Sequence, residues 1–214
     1  SVTLNSCVDK KKKSTPVAIN GVLDLSTWDF SQDGPVLLQG EWRIEWLEFI
    51  EPSQLNKKQN IGTSIIEVPS LWDNKDISKK HDLNNPTPYA TYILEIKINP
   101  DQQNLEQDIG LKVDEAWSAT NTKVINQVGR EIISTVKHGK PSKTSADEIP
   151  MFLSTITPID IGDTRKIVIL IQISNHNTPK FGIHKAPQIG ITDKLQNAHF
   201  RDMLPSLILL APLM

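Results

Sequence analysis

The sequence predicts an all-β fold in which two sheets pack face to face as a sandwich. In 42–46 and 91–98, apolar and polar residues alternate, which is the pattern of strands that bury one face. Such segments recur at short intervals, and the loops between them carry many of the 14 prolines in the 214-residue chain. These intervals are too short for the helical crossovers of a parallel α/β sheet, so the sandwich is favoured.

The strand segments follow one another along most of the chain. Segment 167–173 is almost entirely β-branched, so we expect it to be a central strand that is covered on both faces. Three long polar intervals, 51–64, 73–88 and 137–157, are predicted loops, where binding residues usually lie. The predicted strands, in order, are 42–46, 65–68, 91–98, 109–113, 124–125, 132–133, 167–173, 183 and 189–191.

Changes in composition divide the chain into a leader at 1–15, one β-sandwich domain at 16–191 and a C-terminal segment at 192–214. The leader is polar and has no hydrophobic period, so we expect it to be flexible and solvated. An alternative interpretation of Leu4–Cys7 is a bacterial lipoprotein cleavage site, because a leucine precedes the cysteine at the required spacing. In that case Cys7 would carry a lipid.

The C-terminal segment begins with the signals of a helix. Thr192 can cap a helix, and Asp193 places a negative charge in its first turn, so a helix is expected over 192–198. The apolar end of the chain, 204–214, is about half as long as a membrane helix. It is interpreted either as a tail that packs on the domain or on a membrane surface, or as the start of a truncated membrane segment. The abrupt apolar end favours the second interpretation.

Charge and cysteine content exclude several classes of protein. The 23 Lys and Arg residues balance 25 Asp and Glu residues, giving a formal charge of -2, so no nucleic-acid partner is predicted. A single cysteine excludes an intramolecular disulfide and a zinc site built from several cysteines. The sequence contains no run of about 18 apolar residues, the length at which a membrane helix would be predicted.

The motifs of common catalytic and metal sites are missing from the sequence. The five histidines are not spaced with carboxylates as metal ligands are, and we expect them to be exposed loop residues. No nucleophile elbow and no glycine-rich phosphate loop occurs. The adjacent carboxylates Asp147 and Glu148 lie in a polar stretch, without the apolar surroundings that a general acid needs. We therefore predict no catalytic residue, no metal site and no cofactor.

Tryptophan is the most informative residue type, because five tryptophans occur beside only two tyrosines. The flat face of an indole can pack in a core or stack on a sugar ring. Trp42 and Trp46 lie on one strand face, which predicts that both pack in the core. Trp72 and Trp117 lie in predicted loops, and for these two residues both roles are open.

A set of short motifs spans residues 20–198 in a fixed order. They are Leu23–Phe30, Gly34–Val36, Leu38–Trp42, Val68–Trp72, Tyr89–Tyr92, Asp147–Pro150, Ile171–His176, Phe181–Ile183 and Ile189–Gly190. Their order and spacing resemble the extracellular sensor domain of bacterial seven-transmembrane receptors with diverse intracellular signalling modules. Gly40-Glu41-Trp42 and Pro69–Trp72 are also similar to the sugar-binding domain at the front of family-two glycoside hydrolases.

The resemblance implies a jelly-roll β-sandwich of the galactose-binding-like type. It also implies a sensor on the periplasmic or extracellular face of the bacterial inner membrane. Such a sensor is attached to membrane helices and controls a cytoplasmic output, such as a nucleotide cyclase or a histidine kinase. The alternatives are a sugar-binding auxiliary domain of a glycoside hydrolase, or a protein-interaction module that forms a homodimer.

The ligand that the resemblance implies is a small molecule, for which a sugar is the main candidate. Trp72 or Trp117 would then stack on the sugar ring. The candidates for hydrogen bonds to its hydroxyl groups are the side chains of Asn126, Asn175, His176 or Lys180.

Overall fold

Two sheets face each other across an apolar core in this computed structural model, and a helix follows the last strand. The structure describes residues 13–55, 61–62, 64–73, 88–99, 108–116, 118–126, 131–178 and 180–209. The interpretations of Cys7, of Trp117 and of the chain end at 210–214 therefore fall outside the described residues. The predicted all-β jelly-roll sandwich with a C-terminal helix is confirmed.

The strands vary widely in length, from two residues to ten. In chain order the elements are β1 (Val22–Leu25), β2 (Val36–Leu37), β3 (Gly40–Trp46), β4 (Ser64–Val68), β5 (Trp72–Asp73), β6 (Tyr89–Ile98), β7 (Ile109–Val113), β8 (Ala119–Asn126), β9 (Ile132–Lys140), β10 (Ile149–Pro150), β11 (Thr155–Ile159), β12 (Lys166–Ser174), β13 (Lys180–Phe181), β14 (Gln188–Ile191) and α1 (Thr192–Leu209).

The large sheet is built by pairing between strands that are distant in the sequence. Its order is β10-β9-β8-β12-β6-β3-β4, and β1 pairs with β6 in parallel. The opposing sheet has the order β11-β7-β14-β2, and β5 pairs with β13 in a separate two-stranded sheet. Strand β12 lies between β6 and β8 and is antiparallel to both, so it connects the two halves of the large sheet.

Both faces of β12 are buried, as the sequence predicts. Ile169 faces the core between the sheets, whereas Val168 and Leu170 belong to a second apolar cluster on the outer face of the large sheet. Residues 47–55, here called the strap, contribute Ile50 to this cluster. The strap therefore covers a surface that would otherwise expose β-branched side chains to water.

Polar contacts fix the strap to the sheet. Nε2 of Gln172 donates a hydrogen bond to the carbonyl of Ile50 at 3.1 Å, and Oγ1 of Thr91 accepts the backbone N–H of Ile50 at 2.9 Å. Lys123 forms an ion pair with Glu51. Burial raises the pKa of Glu51, but hydrogen bonds from Lys123 and Gln172 outweigh this and hold the pKa below its usual value.

An aromatic group fills the core near the two-stranded sheet. The ring of Trp72 lies 4.5 Å from Phe181, 5.0 Å from Trp46 and 5.6 Å from Tyr92, measured between ring centroids. Trp42 is fully buried against Tyr92, and Trp46 is half-buried, so the core role predicted for these two tryptophans is confirmed. Trp72 is only 4% exposed. Its indole therefore has the core role, and too little of the ring is accessible to stack on a sugar.

Two strand assignments differ from the sequence-based ones. The interval 137–157, expected to be a loop, contains β10 and parts of β9 and β11. Strand β11 pairs with the distant β7 over its whole length. The strand is therefore formed by this pairing and not by its local sequence pattern. Ile183, expected in a strand, lies outside the strands of the structure. Its side chain is buried, and its carbonyl accepts the N–H of Ser70 at 2.8 Å.

Helix α1 begins at Thr192, as predicted, but runs to Leu209 instead of residue 198. The expected cap is not formed, because the Thr192 hydroxyl lies against Gly110 and has no hydrogen-bond partner within the described part of the chain. The backbone N–H of Thr192 donates to the carbonyl of Asp108 at 2.8 Å, which fixes the start of the helix to the sandwich. In the part of the chain that the structure describes, no helix combines the length and the apolar character needed to cross a bilayer.

Candidate ligand site at one end of the sandwich

The predicted hydrogen-bonding residues do not converge on one site. Asn126 ends β8 opposite Ile167, near the start of β12, whereas Asn175 directly follows the end of β12. About eight residues of extended strand separate the two positions, which corresponds to roughly 25 Å. Asn126 therefore lies at one end of the large sheet, and Asn175 and His176 lie at the other. Asn126 and the other two residues therefore cannot contact the same small ligand.

Asn175 and His176 both make hydrogen bonds within the protein. Oδ1 of Asn175 accepts the backbone N–H of Asn177 at 2.9 Å. Nε2 of His176 donates to the carbonyl of Ser142 at 2.9 Å, and the backbone N–H of His176 donates to Glu148 at 3.1 Å. Asn175 therefore shapes the turn that follows β12, and His176 holds the 142–148 region against the end of that strand.

Lys180 is linked to Asn175 through Thr178, whereas Asn126 lies at the far end of the large sheet. Lys180 is exposed in β13, where its backbone pairs with Asp73. Oδ1 of Asn126 accepts the hydroxyl hydrogen of Thr164 at 2.8 Å. Asn126 is therefore separated from the other described members of the predicted ligand set, and Trp72 is withdrawn into the core.

A small cleft opens where β7 ends and β8 begins. Its walls include residues from 113–116 and 183–187, and the buried residues Thr120 and Ile171 line its inner part. The cleft has a volume of about 10 Å³, which is room for about one water molecule. A ligand could therefore place one small polar group inside it, such as a hydroxyl, and the rest of the ligand would lie at the entrance.

Charged side chains surround the entrance of the cleft. Oδ1 of Asp114 accepts the hydroxyl hydrogen of Ser154 at 3.0 Å and lies 3.4 Å from Nζ of Lys112. Oε1 of Glu115 accepts a hydrogen bond from Nζ of Lys185 at 2.7 Å. The second oxygen of each carboxylate has no hydrogen-bond partner among the described residues. Each carboxylate thus keeps an acceptor for a donor group on a ligand.

The strands behind the cleft carry polar side chains on their inner faces. Thr120 and His138 are cross-strand partners in β8 and β9, and Ser134 stands opposite Val124. The hydroxyls of Thr120, Thr122 and Ser134 are buried and have no hydrogen-bond partner in the described part of the chain. A buried polar group without a partner costs roughly 1–3 kcal/mol. A ligand group that reached Thr120 would recover part of this cost.

Two histidines lie near the cleft. His138 is fully buried in β9, which corrects the expectation of an exposed loop histidine, and its Nε2 lies 2.9 Å from Oγ1 of Thr155. Burial lowers the pKa of His138, although the carboxylate of Asp114 opposes the shift. Burial and Lys185 lower the pKa of His184 against the two carboxylates of the entrance. Both imidazoles are therefore mainly neutral at neutral pH.

Acidification is expected to destabilise the fold through His138. The unfolded chain takes up a proton at this residue near pH 6.5, whereas the folded protein, whose pKa is lower, does not. The contribution of His138 to stability is thus complete above about pH 6.5 and is lost as the pH falls toward the folded pKa. Urea denaturation at a series of pH values should show that the free energy of unfolding depends less on pH in His138→Gln than in the unchanged protein. The same dependence in both proteins would contradict a buried neutral imidazole.

Sequence reasoning did not identify the residues of the cleft. Thr120 and Thr122 alternate with Asn121 and Lys123, and an alternation of four polar residues does not tell which pair faces the core. The available signal was the carboxylate pair that begins at Asp114, directly after an apolar strand. A charged pair at the end of a buried strand lies where a sandwich exposes its loops.

The cleft is suited to hydrogen bonding. It offers carboxylate acceptors, a lysine donor and a buried hydroxyl within one small opening. Among the residues that the structure describes, no three His, Cys, Asp or Glu side chains are close enough together to hold a metal ion. The described groups can orient a hydroxylated ligand through its hydroxyl groups.

Comparison with known proteins identifies the fold class but not a family. No family model matches the chain, and no curated protein matches it significantly. Among solved structures, the chain is similar to a β-glucuronidase of an uncultured Clostridium species, with 11% identity and a TM-score of 0.50 over 74% of this chain and 29% of the enzyme. It is also similar to a β-glucuronidase of Faecalibacterium prausnitzii, with 9% identity and a TM-score of 0.48 over 74% of this chain and 31% of the enzyme.

The first of these similarities shows that the β-sandwich fold of this chain also occurs in a β-glucuronidase. At such low identity they show the fold alone. The chain spans less than a third of the length of either enzyme.

Proposed function

We propose that this domain is a sugar-binding module that accompanies a catalytic unit in a glycoside hydrolase and does not itself carry out the reaction. The observation that carries the proposal is the Thr120 hydroxyl, which is 2% exposed, has no hydrogen-bond partner among the described residues and lines a cleft with charged residues at its entrance. Sugars present hydroxyl groups that both donate and accept hydrogen bonds. One sugar hydroxyl fits the size of the cleft and would satisfy Thr120.

The surroundings of the cleft support binding rather than catalysis. Asp114 and Glu115 each lie beside a lysine, as in a structural ion pair. One solved structure with the same fold is a β-glucuronidase, and the chain corresponds to a minor part of it. Both observations support a domain that holds a carbohydrate while another part of the protein acts on it.

A second candidate is the sensor domain of a membrane-bound receptor on the periplasmic or extracellular face of a bacterial membrane. Its support is the order of motifs over residues 20–198 together with helix α1. This helix leaves the sandwich with Phe200, Met203 and Leu204 exposed, by 59%, 46% and 37%. Apolar side chains on a helix that leaves a domain are suited to contact with a further helix or a membrane surface.

Sugar binding is tested by titrating the protein with monosaccharides and short oligosaccharides while NMR spectra are recorded. Thr120→Val keeps the shape of the side chain and removes the hydroxyl, so we expect about fivefold to tenfold weaker binding, the value of one hydrogen bond. Thr122→Val is the matched control, because Thr122 is equally buried on the same strand but does not line the cleft. Binding that is unchanged in Thr120→Val, or no binding of any sugar, would refute the proposal.

The two candidates are separated by the sequence of the full-length gene. An accessory domain of a glycoside hydrolase predicts a catalytic barrel in the same protein. A receptor sensor predicts seven hydrophobic segments and a cytoplasmic output domain.

A further inference from the structure

Hydrogen-bond acceptors predominate at the entrance of the cleft. Asp114 and Glu115 each keep one carboxylate oxygen without a partner among the described residues. Lys112 and Lys185 balance these charges, but each is already engaged with a carboxylate, at 3.4 Å and 2.7 Å. A ligand group that enters the cleft therefore meets two unused anionic oxygens before it reaches Thr120.

A negatively charged ligand group would be disfavoured at this position. The side chain of Asp114 is only 15% exposed, and charges that are sheltered from water interact several times more strongly than charges in bulk solvent. A ligand carboxylate would face like charge and leave the oxygens of Asp114 and Glu115 without a donor. A hydroxyl or ammonium group would donate to Asp114, and a hydroxyl could also accept from Lys185.

We propose that the cleft binds neutral and amino sugars and discriminates against uronic acids. This inference rests on the proposed function, because it requires that a sugar binds at this cleft. It adds the chemical class of the ligand, which follows from the two unpaired carboxylate oxygens at the entrance and the buried hydroxyl of Thr120.

The test compares glucose with glucosamine and with glucuronic acid, each of which differs from glucose in a single substituent. The protein is titrated with each sugar at neutral pH and equal ionic strength, and affinity is read from NMR chemical-shift changes. Glucuronic acid should bind at least about tenfold more weakly than glucose. In Asp114→Asn, the affinity for glucuronic acid should rise. Glucose should then bind less than about threefold more tightly than glucuronic acid. Glu115→Gln should also raise the affinity for glucuronic acid, and this variant replaces Asp114→Asn in the test if Asp114→Asn does not fold.

The matched control is Asp24→Asn, which removes the same charge far from the cleft. Asp24 pairs with Lys97, whose strand neighbour is Lys166 at the start of β12. The ratio between glucose and glucuronic acid should not change in this variant. Glucuronic acid binding as tightly as glucose would overturn this inference and leave the proposed function in place. No binding of any of the three sugars, or of any other carbohydrate, would overturn both.

Discussion

Replacing Trp72 with alanine should lower the free energy of unfolding by about 3–5 kcal/mol. The indole is 4% exposed and contacts three other aromatic rings, with centroids between 4.5 and 5.6 Å away. Its removal would leave a cavity beside Phe181 and Tyr92 and would also remove aromatic contacts that contribute about 0.5–1.5 kcal/mol each. The expected loss is a large fraction of the stability of an ordinary domain.

Urea denaturation followed by circular dichroism measures this effect. Leu71→Ala is the matched control, because Leu71 is adjacent in the sequence but 44% exposed, and its loss should stay below about 1 kcal/mol. A Trp72→Ala protein of normal stability that fails to bind sugar would contradict the core role. That result would restore Trp72 as a stacking residue.

Gly139→Ala is expected to destabilise the protein by about 2–4 kcal/mol. Gly139 has a φ of +84°, and a Cβ at this position would lie 1.9 Å from the carbonyl oxygen of Ile149. The oxygen belongs to the backbone of β10, which pairs with β9 at this point, so it cannot rotate away as a side chain could. Alanine would therefore require a left-handed backbone and would separate the two strands.

Gly34→Ala separates the two parts of this effect. Gly34 has a φ of +87°, and nothing lies within 4 Å of an added Cβ. In this variant the free energy of unfolding should fall only by the cost of placing alanine in a left-handed conformation, about 1–2 kcal/mol. Thermal and urea unfolding of both variants gives the difference between them. Equal losses in the two proteins would mean that β10 moves away from Gly139 without cost.

The sequence predicts the strands that have strong local patterns. The alternation in 42–46 and the β-branched run in 167–173 correspond to β3 and β12, and both faces of β12 are buried as expected. The short strands β5, β10 and β13 have two residues each, which is too few for any period. These strands are formed by partners that are distant in the chain, and such pairing leaves no local signal.

The candidate site was less predictable than the fold. Asn126 and Asn175 share a residue type, but the antiparallel register of β8 and β12 places them at opposite ends of a sheet, and composition does not reveal register. Thr120 and Ser134 have the character of solvent-facing residues, since hydroxyl side chains are mostly exposed in proteins. The structure buries both of them between the sheets.

The central position of β12 has a consequence for the synthesis of this protein. Strand β12 comes from the last quarter of the chain, and both β6 and β8 use it as a partner. While residues 166–174 are still inside the ribosome, the emerging polypeptide has two partial sheets, each with an unpaired edge. Unpaired edges invite association with other nascent chains. Assembly of the sandwich must therefore wait until residues 166–174 have left the ribosome, and chaperone protection matters most during that interval.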